Sequence, residues 1–216
     1  MAQASFWARR VHSLSGVVPI GAFLVEHLYS NSFSTQGPAA YNGYVEKLQS
    51  LPYVLFMEIF LIGVPIAFHA LYGAYIAYQG QLNAAAYPHA RNWMYALQRA
   101  TGIFLVVYIA WHVWETRLAA AFKPAVKEDF FGHMQALFQD PAYVAFYVAG
   151  VACASFHFAN GLWTFLIVWG IAAGPRGQRL ATYPCAALGV ALFAMGVNSI
   201  NGFLSLPPGA EFALAG

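Results

Sequence analysis

The chain has 216 residues, of which 60% are apolar and only 8% charged. A soluble domain carries about 25% charged residues, so this chain cannot cover a water-facing surface, and a free soluble globule is excluded. Aromatics at 17% and a mean hydropathy of +0.56 exclude a disordered chain as well. The net charge of +2 gives nucleic acid no footing. An integral membrane protein remains.

A membrane-crossing helix needs about 20 mostly apolar residues. Five stretches qualify: 11–31, 54–78, 97–117, 142–172 and 183–206. The predicted fold is therefore all-α, a single domain over residues 1–216 built as a bundle of five transmembrane helices. The first stretch follows Arg9 and Arg10 but lacks a small-x-small cleavage site before a polar region, so it reads as a retained span and not a signal peptide. The fourth is long enough to tilt or protrude. Between the spans lie polar connectors rich in turn residues, at 31–52, 79–92 and 174–179.

Charge sets the expected orientation. With the N terminus inside, the inner segments hold Arg9, Arg10, Arg91, Arg99, Arg176 and Arg179, and the other side holds Lys47, Arg117, Lys123 and Lys127. That excess of Arg and Lys inside predicts a cytoplasmic N terminus and an external C terminus. All eight acids, from Glu26 to Glu211, fall on the outer side or in outer ends of spans.

The two cysteines, Cys153 and Cys185, lie in apolar stretches and form no Cys-x-x-Cys or Cys-x-x-Cys-His motif. Iron–sulfur clusters, a zinc ribbon and covalently attached haem are not expected in this chain.

Histidine is the informative residue. His27, His69, His112 and His157 fall deep within spans one to four. Polar residues at such depth are costly and point to function. His27 lies 16 residues beyond residue 11 and His112 lies 15 beyond residue 97, both on outward-running spans. That places them at one level, roughly 23 Å from the inside. His69 lies 15 residues beyond residue 54 and His157 lies 15 beyond residue 142, both on inward-running spans. This second pair sits roughly 23 Å from the outside. Two imidazoles facing each other at one depth are what a six-coordinate haem iron needs. Zinc would need four ligands converging at one level. A lone intramembrane histidine more often bonds a backbone carbonyl or serves a proton relay, but four residues matched as two pairs favour iron ligation. The expected cofactors are two non-covalent b haems, an outer one on His27 and His112 and an inner one on His69 and His157. Ala70, Gly73 and Ala74 beside His69, and Ala154, Ser155 and Gly161 beside His157, supply small side chains for a slot. Pro65 should kink span two.

Two haems across a bilayer need a donor and an acceptor. The sequence has no flavin, dinucleotide or iron–sulfur motif, so at least one of these lies in a partner, and a quinone suits a lipid-soluble acceptor. Quinone reduction consumes protons. Glu58, about one turn into span two from the outer side, is the expected proton donor at the quinone site, with Glu26 second; its alternative is contact with lipid headgroups. Arg9, Arg91 and Arg99, with Arg10 and Arg176, are candidate haem-propionate contacts; lipid headgroups and topology account for them equally well. His12, at the inner boundary, could face a propionate or a partner subunit. Glu115 and Arg117 read as an outer-interface pair.

The residues also match a known family. RRVHSLSGVVPIGAFLVEHL from Arg9, EIFLIGVPIAFHALYGAYIA from Glu58, RNWMYALQRATGIFLVVYIAWHVWETR from Arg91, HFANGLWTFLIVWGI from His157 and PRGQRLATY from Pro175 resemble the single-chain, five-helix, di-haem cytochrome b subunit of succinate:menaquinone oxidoreductase, the cytochrome b558 type. The resemblance covers nearly the whole chain. It implies haem-iron ligands at His27, His69, His112 and His157, paired first with third and second with fourth. It implies menaquinone as acceptor and an inner haem of higher potential. It further implies residence in the bacterial cytoplasmic membrane and two partners on the cytoplasmic face, a flavoprotein with covalent FAD and an iron–sulfur protein; the six basic residues and lack of acids on that face should dock them by the loops at 79–92 and 174–179. Alternatives are a fumarate reductase run in the opposite direction, the haem b subunit of a hydrogenase or formate dehydrogenase, and a structural anchor without haem. The oligomeric state stays open.

Overall fold

The structure is a computed structural model that describes residues 2–205, with side chains from residue 6 onward. Leu206, the expected end of the fifth span, and Glu211, used in the charge argument, lie outside the described residues. Among the described residues all regular structure is helical. Five helices are long and apolar enough to cross a membrane: Phe6–Gln36, Val54–Gln79, Ala90–Phe122, Pro141–Val168 and Gly174–Ser205. They are taken as spans one to five. Each contains the core of one stretch expected from hydropathy, and four of the five extend beyond it because polar and charged residues continue the helix past its apolar run. The fourth is the exception. It stops at Val168, where Gly170 adopts the left-handed region at φ +74° and turns the chain.

Prolines are absorbed in different ways. Around Pro19 the helical ladder continues, with Val18 N–H donating to Leu14 O and Ala22 N–H to Val18 O. Before Pro65 the helix widens into a π-helical segment, Glu58–Gly63. Val64 N–H reaches back five residues to Ile59 O. Pro65 has no N–H and its ring crowds the carbonyl four residues earlier. The expected disturbance of span two is thus present, and it takes the form of a wide turn. A second π-helical segment, Trp114–Leu118, lies in span three just past His112.

The chain forms two compact units. One takes the chain up to Leu24, Leu55–Val106 and Cys153–Ala191; the other takes Val25–Val54, Val107–Ala152 and the chain from Leu192 onward. In the first unit, span two packs against Ala2–Val17. Gly21 lies under the Phe158 ring and Gly189 lies under Ala159, so the helices meet at glycines.

The second unit contains structure that the connectors did not announce. Pro38–Gln49 and Phe130–Leu137 are helices that pack on each other. The Asn42 amide donates to Asp129 Oδ1 at 2.9 Å and accepts from Phe131 N–H at 2.9 Å. Asp129 also caps its own helix by accepting from Gly132 N–H at 2.8 Å. Tyr41, Phe131, Met134, Phe138 and Phe203 are buried together there. Ser34, fully buried, donates to Ser199 O at 2.8 Å, and Gly202 leaves the room for it.

Candidate cofactor site

The first unit brings together His69 of span two and His157 of span four. Their ring centroids are 6.2 Å apart and the planes are nearly perpendicular at 80°. Each ring is anchored on its far side. His69 Nδ1 lies 3.0 Å from the His12 carbonyl oxygen, and His157 Nδ1 lies 3.1 Å from that of Gln98. A carbonyl can only accept, so both rings carry their proton on Nδ1 and present Nε2 as a lone pair. This is the arrangement metal-bound histidines adopt. His12 stacks flat on His69, centroids 4.1 Å apart and planes 10° from parallel. The buried Nε2 of His12 has no hydrogen-bond partner among the described residues.

The second unit brings together His27 of span one and His112 of span three. Their centroids are 5.7 Å apart and the planes meet at 79°. Here the surroundings are side chains. Tyr147 Oη lies 3.3 Å from His112 Nδ1, and Tyr108 stacks on the His112 ring with centroids 5.8 Å apart. Gly150 gives the Tyr108 ring its place, since a Cβ there would strike it. Asn31 Nδ2 lies within 3.5 Å of both His27 ring nitrogens and donates to the His27 carbonyl at 2.7 Å. Its Oδ1 accepts from Tyr41 Oη at 3.1 Å.

Both pairs fit an iron held between two imidazoles. A metal–imidazole bond of about 2.0 Å puts each ring centroid about 3.2 Å from the metal, so two trans rings have centroids about 6.4 Å apart. The observed 6.2 and 5.7 Å are near that separation. Among the described residues, no three His, Cys, Asp or Glu side chains converge as a metal-binding group. Two protein ligands per site suit a metal whose other ligands come with a macrocycle.

The other expected site residues stand apart from the rings. Glu58 is half-buried and opens the wide turn of span two. Glu26, half-buried beside His27 in sequence, has a buried Oε1 without a hydrogen-bond partner among the described residues. Arg91 lies 3.6 Å over the Trp163 ring and donates to Thr182 Oγ1 at 2.9 Å. Arg99 lies 3.3 Å over Tyr95, and its buried Nε likewise has no hydrogen-bond partner among the described residues. Arg10 lies between Phe6 and Trp169, while Arg9 and Arg176 are exposed. Glu115 and Arg117 both belong to the wide turn of span three.

The residues missed from sequence are the ones that hold the ligands. Gly16 and Gly102 lie directly behind the rings: a Cβ would come within 2.5 Å of His69 Cε1 at the first and 2.9 Å of His157 Cε1 at the second. Ser15 and Thr101, each one residue earlier, place a hydroxyl near Nδ1. Gly73 and Gly161, expected to open a slot beside His69 and His157, face His12 and Gln98. The signal for the missed set was a His/Gln-x-x-Ser/Thr-Gly pattern present once in span one and once in span three.

Residues 78–197 match the family described as succinate dehydrogenase/fumarate reductase transmembrane subunit. The chain is also 44% identical over 199 residues to the succinate dehydrogenase cytochrome b558 subunit of Bacillus subtilis (strain 168), an alignment covering 92% of this chain and 97% of the relative. Five apolar helices, two intramembrane histidine pairs and a match of this extent agree, and the chain belongs to the succinate dehydrogenase/fumarate reductase transmembrane subunit family, as a multi-pass membrane subunit of that oxidoreductase.

Proposed function

We propose that this chain is the haem-bearing anchor of a succinate:menaquinone oxidoreductase in a bacterial cytoplasmic membrane, conveying electrons from an iron–sulfur subunit to menaquinone. The observation that carries the reading is the two pairs of facing imidazoles, each drawn from two different spans. The relative's name, a cytochrome b, supports it. The absence of Cys-x-x-Cys-His makes each haem non-covalent. When bound, a b haem supplies a one-electron couple that no side chain of this protein has.

The chain's own residues hold and orient. His69 and His157 hold the inner group, His27 and His112 the outer. Carbonyls at His12 and Gln98 hold the ring proton of His69 and His157 on Nδ1 and fix how each ring is turned. Apolar helices keep water away. Succinate is oxidised in a flavoprotein partner with FAD, and the iron–sulfur partner docks on the cytoplasmic face near Arg91 and Arg176. Arg9, Arg91 and Arg99 are available to propionates on that side. Glu58 delivers a proton to the quinone from the outer side. The family description covers both succinate oxidation and fumarate reduction; the relative's name favours the first.

The test is a reduced-minus-oxidised spectrum of the purified complex. Two b-type haems per chain, with the inner one reduced by succinate, are expected; a chain without b-type absorbance overturns the reading. Glu58→Gln should slow quinone turnover about a hundredfold, the low end for a positioned acid, while both haems remain. Unaltered turnover removes Glu58 from the mechanism. Electrons moving outward and protons taken from outside make turnover sensitive to membrane potential, at about 2.3 kcal/mol per charge per 100 mV. An uncoupler should therefore lower succinate-to-menaquinone activity in intact cells.

A further inference from the structure

Two segments of the chain repeat one arrangement. The first is His12, Ser15 and Gly16 on span one, set against His69 and Gly73 of span two. The second is Gln98, Thr101 and Gly102 on span three, set against His157 and Gly161 of span four. In both, the residue at position one offers its carbonyl to the ligand's Nδ1–H, at 3.0 Å from His69 and 3.1 Å from His157. The hydroxyl three residues on lies 3.4 Å from His69 Nδ1 in the first copy and 3.3 Å from His157 Nδ1 in the second. The glycine after it backs the ring, where a Cβ would collide at 2.5 and 2.9 Å. The side chain at position one covers the glycine four residues beyond the ligand. A Cβ on Gly73 would stand 3.0 Å from His12 Nε2, and one on Gly161 would stand 3.3 Å from Gln98 Nε2.

We propose that residues 12–16 and 98–102 are two copies of one positioning device that fixes the tautomer and the ring plane of His69 and His157, with Ser15, Gly16, Thr101 and Gly102 as its positioning residues. The inference rests on the reading that these histidines hold a haem.

The device works by sharing and by shape. The Thr101 hydroxyl gives its proton to Leu97 O at 2.7 Å, so a lone pair is left for His157 Nδ1–H. That proton is shared between Gln98 O and Thr101 Oγ1, a three-centre bond. Two partial negative charges on Nδ1–H make Nε2 more electron-rich and favour the oxidised iron. The glycine sets the angle at which the ring stands, because any Cβ would push the ring off it. Both copies act on the two ligands of one haem, His69 and His157.

The test uses the intact complex and reads the midpoint potential and low-spin electron paramagnetic resonance of each haem. Thr101→Val keeps the volume and removes the oxygen. It should shift the reduction equilibrium of the His69/His157 haem toward the reduced state by about three- to tenfold, about 28 to 59 mV for one electron. Thr101→Ser should restore it, and the other haem should stay within about twofold. Gly16→Ala and Gly102→Ala should each move the largest g value of that same haem, because each turns one axial ring. If a glycine variant fails to assemble, Thr101→Val against Thr101→Ser decides. Two normal haems that ignore Thr101→Val, or a Thr101→Ser protein that behaves like the valine variant, overturn the device and leave the haem reading standing. A parent complex without two b-type haems overturns both.

Discussion

The two histidine pairs are held by different kinds of matter. In the unit of His69 and His157, the partners of Nδ1 are backbone carbonyls of neighbouring helices, and the rings rest on glycines. In the unit of His27 and His112, the partners are a phenol and a carboxamide, with a tyrosine ring stacked alongside. A backbone acceptor cannot be deleted by substituting its own side chain. A tyrosine or an asparagine can. At the first site the carbonyls are therefore beyond the reach of side-chain substitution, leaving the Ser15 and Thr101 hydroxyls beside them as the adjustable part, whereas at the second site the Tyr147 and Asn31 partners can each be changed by one substitution. The second unit also owns the two packed connector helices, so its shape depends on contacts far apart in sequence.

The largest effect should come from the ligands. His69→Ala or His157→Ala should abolish one haem, and His27→Ala or His112→Ala the other, read as the ratio of haem to protein with the spectrum of what remains. If His27→Ala and His69→Ala removed the same haem and spared the other, the division into two sites would be wrong.

Next comes Gly202→Ala. A Cβ there meets Ser34 Oγ at 2.5 Å and Ser34 backbone at 2.7 Å, in a fully buried place. Overpacking of this kind costs about 1–3 kcal/mol. Heating the complex should then release the His27/His112 haem at a lower temperature than in the parent, before the other. Simultaneous release would show that the two units do not melt separately.

A smaller effect is expected of Tyr147→Phe, which removes the hydroxyl oxygen that lies 3.3 Å from His112 Nδ1. A single hydrogen bond contributes about 0.5–1.5 kcal/mol net, roughly two- to tenfold in an equilibrium. The potential of the His27/His112 haem should move by that factor while the other holds still. Tyr41→Phe should move the same haem least, within about twofold, because Tyr41 reaches His27 through Asn31. A larger response to Tyr41→Phe than to Tyr147→Phe would reverse the order of influence drawn from the distances.

The spans and the pairing of the four deep histidines were legible because the bilayer imposes length and apolarity, and because an imidazole at depth has few ordinary reasons to be there. The connector helices were not legible. Pro38–Gln49 and Phe130–Leu137 are short and mix polar with apolar residues, and they are fixed by an aromatic cluster and by Asn42 meeting Asp129, 87 residues further along the chain. The positioning glycines were missed for a geometric reason. Small residues were sought on the ligand's own helix, at Gly73 and Gly161, whereas the ring of a helical histidine leans on the neighbouring helix, at Gly16 and Gly102. Pro65 announced a disturbance correctly, but hydropathy holds nothing that distinguishes a kink from a wide turn.

The wide turn at Trp114–Leu118 has a consequence for how the gene can change. Ala119 N–H, which an α-helix would give to Glu115 O, reaches Trp114 O. The Glu115 carbonyl instead accepts from His133 Nε2 at 2.7 Å. Deleting one residue from an ordinary spanning helix turns everything beyond it by about 100° and shortens it by about 1.5 Å. Deleting one inside this turn would close the ladder to its usual spacing and leave both flanks facing as before, at the cost of the His133 contact. Span three thus carries a place where its length can change by one codon without His112 losing its aim.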